Sequence, residues 1–467
     1  MSAAHTPSLT FRVVRRFVDV RESELRVLLG SAGAFFCVLA SLFVLRPVRE
    51  EIGLSRGSQN LPLLWTGTLG VTLLFAPLFA WLVSRYPPRT FLPLTYRILA
   101  ANLAVFAVLS QTLHGEPLVW MRFAFYFWYS ASNLLVVSVF WALMADVFRS
   151  EQSGRLFGFV GVGGTLGALA GARIAASAVH EIKTLGLLAS AIVLLELSAR
   201  CVRALARRTP DDVREVAPAR AELQAKGGAW QGLAIVARNP FVLGIGVYIA
   251  LQTLAAAFLN LELNQLIERG RAAGPDRVAV FAERDFWAQL ATLGLQIFVT
   301  GRIIPWFGVS VALAIQPFVA AAGFTLVAFV LPTGSADAGF PAELATLDFA
   351  LWTTVLFNAA FSATQNGISR PSRETLFTGV DRDTKYKAKS FLDTFVWRGG
   401  DALFSWTWKL LRETAALGSA TVTACVVPCA CAWLCVGWLL GRQRARQLQG
   451  GAPTSELPAP APSDAPV

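Results

Sequence analysis

Charge and histidine are what this sequence has least of. Charged residues are 15% of 467, against 55% hydrophobic. A water-soluble domain of this length carries far more surface charge, so the scarcity excludes that class and points to a chain that meets lipid. Only three histidines occur, His5, His114 and His180, none of them deep in an apolar run. No metal-ligand cluster and no nucleophile–base pairing can be assembled from such a sequence, which argues against an enzyme and against any cofactor. Four of the six cysteines (Cys425, Cys429, Cys431 and Cys435) share one apolar run with no histidine or carboxylate near them. They read as small packing residues, not as a metal site. Residues 1–26 are basic and lack the apolar core and A-x-A site of a cleavable signal, so none is expected.

What is present is long apolar sequence rich in aromatics, with 33 Phe and 14 Trp. A spanning helix needs ~20 apolar residues. Such runs are read at 27–46, 61–83, 91–112, 119–146, 156–179, 184–202, 241–265, 286–304, 307–331, 345–369, 391–411 and 418–440. The expected fold is therefore an all-α polytopic membrane protein of about twelve transmembrane helices. Cations crowd alternate connections: Arg12 to Arg26, Arg85 and Arg89, Arg149 and Arg155, Arg203 to Arg238, Arg382 to Lys389, and Arg442 to Arg446. The connections 113–118 and 332–344 hold none, and in 266–285 four arginines are offset by four acids. By the positive-inside rule both termini are cytoplasmic, and the net charge of +11 belongs to loops, not to a nucleic-acid partner.

The longest polar stretch between spans, 206–239, divides six spans from six. The expected organisation is a basic segment 1–26, a six-helix bundle 27–205, a cytoplasmic linker 206–239, a second six-helix bundle 240–441 and a disordered tail 442–467. Two echoes support a repeat. Ser84-Arg85-Tyr86-Pro87 follows span 2 as Gly301-Arg302-Ile303-Ile304-Pro305 follows span 8, and charged runs from Arg149 and from Asp381 follow spans 4 and 10.

Three residue groups could carry function. Arg46-Pro47-Val48-Arg49-Glu50-Glu51 closes span 1. Arg46 and Arg49 share a face if the helix continues past Pro47. They then either receive an anion, for which guanidinium forks are suited, or form an interfacial cluster with Glu50 and Glu51. Arg398, inside span 11 beside Gly399-Gly400, either lines a cavity or pairs with Asp393 or Asp401. In span 5, Gly163, Gly167 and Gly171 recur every four residues. No Gly-Lys-Ser/Thr follows, so this is a smooth face for helix packing, not a phosphate loop. Isolated polar residues within spans (Arg97, Asn133, Arg173, Glu196, Asn260, Glu262, Asp285, Asp348 and Asn358) complete the inventory.

At these residues the chain resembles the bacterial and plastid ATP/ADP translocase family of nucleotide transporters. Phe35-Phe36-Cys37 with Leu45-Arg46-Pro-Val-Arg49-Glu50 is similar to that family's Phe-Phe-Cys and Leu-Arg-x-x-Lys-Asp. Val136-Val-Ser-Val-Phe140-Trp141 is similar to Val-Ser-Val-Leu-Phe-Trp. Pro371-Ser372-Arg373-Glu374 resembles Pro-Thr-Lys-Glu, and Thr384-Lys385-Tyr-Lys387-Ala-Lys389 with Asp393 resembles Thr-Lys-Val-Lys-Gly-Lys with Asp. The resemblance implies a major-facilitator-like fold. It places the family's substrate-binding charges at or near Arg46, Arg49, Arg373, Glu374, Arg398, Asn260 and Glu262. Two family lysines fall on or near Arg49 and Arg398, which keep the charge. One family glutamate falls on Asn260, with Glu262 two residues on, and another falls around Tyr129 to Ser132, where there is no acid. The resemblance thus implies a divergent, monomeric secondary transporter in a bacterial inner membrane. Its cargo would be a small anion, nucleotide first, moved by alternating access. The residues alone leave two other readings open: a proton-coupled permease for another solute, and a transport-inactive scaffold.

Overall fold

The structure, a computed structural model, describes residue 11 and residues 20–85, 88–148, 150–206, 235–331, 340–377, 388–389 and 391–450. Nearly all of this is helix. In the bilayer core every backbone N–H and C=O must be satisfied within the chain, and helices do this segment by segment. Chain order gives α1 (Glu22–Leu54), α2 (Leu61–Arg85), α3 (Pro88–Thr112) and α4 (Glu116–Val147). The helix Ser150–Ala206 bends at Lys183 (φ 53°, ψ −173°), which makes it two rods, α5 (150–182) and α6 (184–206). Then come α7 (Pro240–Gly270), α8 (Pro275–Phe298), α9 (Thr300–Val330) and α10 (Phe340–Thr364). A π-helical turn, Gln365–Ser369, extends α10 into Arg370–Leu376. α11 (Trp397–Lys409) is flanked by π-helical turns at Leu392–Val396 and Leu410–Thr414, and α12 (Ser419–Gly450) closes the chain. Among the described residues, seven helical segments are long and apolar enough to cross a membrane, and one of them, Arg155–Leu205, contains both α5 and α6.

Packing sorts the rods by sequence half. α1 lies along the α5–α6 pair, α3 packs on α6's chain segment and on α4, and α4 also meets α1 and α2. In the second half α9 lies along α12, α8 on α10, and α7 against α10, α11 and α12. The halves meet where α8 packs on α1 and on the α5–α6 segment, and where α11 packs on α2. Large apolar side chains face outward, among them Leu74, Val193, Trp306 and Phe329, the last 85% exposed. In water such a surface would aggregate. In lipid it is the solvated face, and helix association rests on close packing instead.

That close packing is visible at α1 and α5. A Cβ on Gly163 would stand 2.8 Å from the Ala32 carbonyl oxygen, and Cβ atoms on Gly167 and Gly171 would overlap the carbonyls of Phe36 and Ala40. The same device recurs in the second half, where Gly437 and Gly441 of α12 let it lie on Leu313 and Ser310 of α9.

Three boundaries depart from the sequence expectation. α1 runs through Pro47 to Leu54, eight residues beyond the expected span, because a proline removes only one backbone donor and the rest of the turn remains bonded. Most of the expected loop 266–285 is helix, with only 271–274 between α7 and α8. The segment 442–450, expected as disordered tail, continues α12. Residues 207–234 of the expected linker, and 451–467, lie outside the described residues.

Candidate functional site

A cavity of about 210 Å³ opens between the two halves. Arg46, Arg49 and Glu50 reach it from α1, and Trp65, Thr68 and Leu69 from α2. The second half supplies Asn260 and Asn264 from α7, Arg284 from α8, and Arg398 and Asp401 from α11. The residues of α1 converge because 46, 49 and 50 are three and four apart on an unbroken helix. Asn260 and Asn264, and Arg398 and Asp401, do so for the same reason. Arg49 lies ~8 Å from the end of α1, which puts the cavity nearer the end of the bundle that carries connection 271–274.

Four guanidinium groups thus face two lining carboxylates, and three of the four have partners. Arg49 Nη1 donates to Glu50 Oε1 at 2.9 Å and Nη2 to Ser130 Oγ at 3.2 Å, with its guanidinium 3.9 Å over the Tyr126 ring. Arg46 Nε is 3.5 Å from Asp285 Oδ2 across the interface of the halves. Arg284 donates from Nε and Nη2 to Asp285 Oδ1 at 3.2 and 3.0 Å, and both residues are buried. Among the described residues Arg398 makes no hydrogen bond and no ion pair, and neither does Asp401. Of the side-chain atoms that line the cavity, Arg49 Nε and Asn264 Oδ1 are also buried without a hydrogen-bond partner among the described residues.

Of the seven charged or polar residues expected to meet substrate, Arg46, Arg49, Arg398 and Asn260 line this cavity. Glu262 does not. It is buried inside the second half, where Trp408 Nε1 donates to its Oε1 at 2.7 Å. The helical twist of ~200° over two residues turns it away from Asn260. Glu374 pairs with Lys389, whose Nζ lies 2.8 Å from both carboxylate oxygens, and Arg373 is buried with its guanidinium 5.8 Å from the Trp397 ring. These three residues serve the second half internally. Asp393 lies outside the described side chains, and Arg398 has no ion pair with Asp401.

Sequence reasoning missed Arg284 as a site residue by reading it into a loop. The signal was present in Gly274-Pro275-Asp276, a turn glycine followed by proline in the first helical turn and an acid near it. That start places Arg284 in the third turn of α8. Thr68 and Trp65 carried no such signal.

Contacts between the halves extend from mid-depth to the 271–274 end. Thr165 Oγ1 donates to Gln296 Oε1 at 3.3 Å and Arg173 Nη1 to Glu283 Oε1 at 3.2 Å. Trp406 Nε1 donates to Thr66 Oγ1 at 3.0 Å, Gly274 N to Glu51 Oε1 at 3.1 Å, and Ser58 N to Glu268 Oε2 at 2.9 Å.

The comparisons with known proteins agree with this architecture. Residues 3–172, a little over a third of the chain, match the Major Facilitator Superfamily profile. No curated protein matches in sequence. Among solved structures, a POT family peptide transporter in an auto inhibited state superposes with TM-score 0.61 at 13% identity, covering 90% of this chain and 97% of its own. A mutant of the nucleoside transporter NupG gives 0.55 at 11%, covering 90% and 99%. The human organic anion transporter MFSD10 (TETRAN) gives 0.50 at 15%, covering 90% and 100%. At such identities the likeness concerns the fold. The chain is a multi-pass membrane protein with the fold of major facilitator transporters.

Proposed function

We propose that the protein is a secondary active transporter of a small anionic solute, with a nucleotide the first candidate. The observation that carries this reading is Arg398, a guanidinium with no hydrogen bond or ion pair among the described residues, facing a cavity that three further arginines line. A charge inside a membrane protein is costly, and one that faces a cavity without a direct hydrogen bond is free to meet a ligand there. Arginine forks match carboxylate and phosphate oxygens in two parallel hydrogen bonds. The anion enters between Arg49 and Arg398, and rocking of the two halves exposes it to one side and then the other.

The cavity, about 210 Å³, is smaller than the ~300–1,000 Å³ of most ligand sites. In this conformation it accommodates a phosphate or carboxylate group, and the rest of a nucleotide requires the halves to part. Trp65, on the cavity wall, offers an aromatic face for a base. Both termini lie in the cytoplasm in this reading, by the distribution of cations along the chain. The 271–274 end is then external, and the hydrogen bonds gathered there close that side.

The test is uptake into proteoliposomes screened across nucleotides, phosphate, organic anions and uncharged solutes. The proposal expects uptake of at least one anion that other anions inhibit and that Arg398→Gln abolishes. Uptake confined to uncharged solutes and indifferent to Arg398→Gln would make the protein a permease of another class, and no uptake at all would favour a scaffold.

A further inference from the structure

A second and larger cavity, about 590 Å³, lies apart from the one between the halves. It belongs chiefly to the first half, among α1, α3, α4 and α6, at the 271–274 end. Its floor is apolar and buried: Val48, Ile52, Phe125 and Leu188. Its mouth is cationic. Arg122, in the second turn of α4, and Lys183, at the α5–α6 bend, both line it and both are exposed. Neither has a hydrogen bond or ion pair among the described residues. The acid in the lining, Glu51, accepts the Gly274 N–H across the interface of the halves.

Lys183 adds an independent observation. Its φ of 53° and ψ of −173° lie in a region that glycine occupies easily and other residues rarely. A side chain kept at such a position is strained, and strain of this kind collects at ligand clamps.

We propose that this cavity is a binding site for a single-chain amphiphile with an anionic head group, its chain over Val48, Phe125 and Leu188 and its head between Arg122 and Lys183. The chemistry is the same whether the molecule comes from the bilayer, as an anionic lysophospholipid, or from water, as a free fatty acid. The cavity wall includes Gly274 and Pro275 of the second half, so the bound molecule also touches the contact that joins the halves.

The experiment uses the full-length protein in nanodiscs of zwitterionic lipid and a palmitate probe with a photoreactive group on its chain. Labelling is expected on α3, α4 and α6 around Phe106, Met121 and Leu185. Unlabelled palmitate should compete at least tenfold better than hexadecanol, the difference expected of a charge-assisted hydrogen bond. Arg122→Gln and Lys183→Gly should each weaken labelling by about tenfold. The glycine also relieves the backbone, so that variant should melt no lower than wild type. Labelling spread evenly over the lipid-facing helices, or unaltered in both variants, or equal competition by hexadecanol, would overturn the proposal. Nanodiscs containing an anionic lysophospholipid separate the sources: loss of labelling there assigns the site to a bilayer lipid, and its persistence to a free fatty acid.

Discussion

At the scale of single residues the account turns on which charges are already satisfied. Arg398 has no hydrogen bond or ion pair among the described residues and Glu262 has a hydrogen bond, so their removal should differ in kind. Arg398→Gln should weaken anion binding by about tenfold or more, the ~1.5–3 kcal/mol of a charged hydrogen bond, and leave the melting temperature unchanged. Arg398→Lys should recover part of the affinity, because a point charge still attracts an anion. Melting and titration of the same purified variants decide this: a lower melting temperature with unaltered affinity would make Arg398 structural. Trp408→Phe should do the opposite. It takes the indole hydrogen bond from the buried Glu262 carboxylate and costs ~1–3 kcal/mol of stability, with anion affinity retained. The cationic half of the site was legible in the sequence, because a guanidinium within an apolar run has few reasons to be there. The acidic and amide half was less so. Glu50 reads equally as an interfacial partner, and Arg284 is flanked by the acids Glu283 and Asp285, which gave it the pattern of a loop. The resemblance pointed to Arg373 and Glu374, and local pairing with Trp397 and Lys389 occupies them.

At the scale of helices, the apolar runs were readable because twenty or so lipid-compatible residues in sequence have few alternatives. Ends were harder to read. A charged turn looks like a boundary, yet α1 carries Arg46, Arg49 and Glu50 within its helix, Arg49 bonded to Glu50 beside it and Arg46 to Asp285 across the interface of the halves. Periodicity of glycine was a stronger guide: Gly163, Gly167 and Gly171 abut the carbonyls of α1. Gly167→Leu should therefore force α1 and α5 apart, with a loss of ~1–3 kcal/mol or failure to assemble. Detergent-solubilised yield and melting temperature measure it, and a variant indistinguishable from wild type would remove the packing role. Gly437 and Gly441 went unread as a face because a single pair of glycines, set among Trp433, Trp438, Leu439 and Leu440, makes no visible repeat.

At the scale of the whole molecule, the two halves are joined by hydrogen bonds at the 271–274 end. Reporter fusions after Arg89 and after Gly441 should read cytoplasmic, and a fusion within 271–274 should read external, as the cation distribution requires. The opposite reading at 271–274 would reverse which side the structure closes. Alternating access makes a stronger demand, that closure at this end is temporary. Ser58 and Glu268 join the halves there, the Ser58 N–H donating to the Glu268 carboxylate at 2.9 Å. The decisive measurement replaces both by cysteine in a background without the six native ones, links them with a short thiol reagent, and follows anion binding and proteoliposome uptake on the same protein. The account predicts that the locked protein still binds the anion, reached from the other end, and transports none until the link is cleaved. Uptake at the wild-type rate through the locked protein would contradict it.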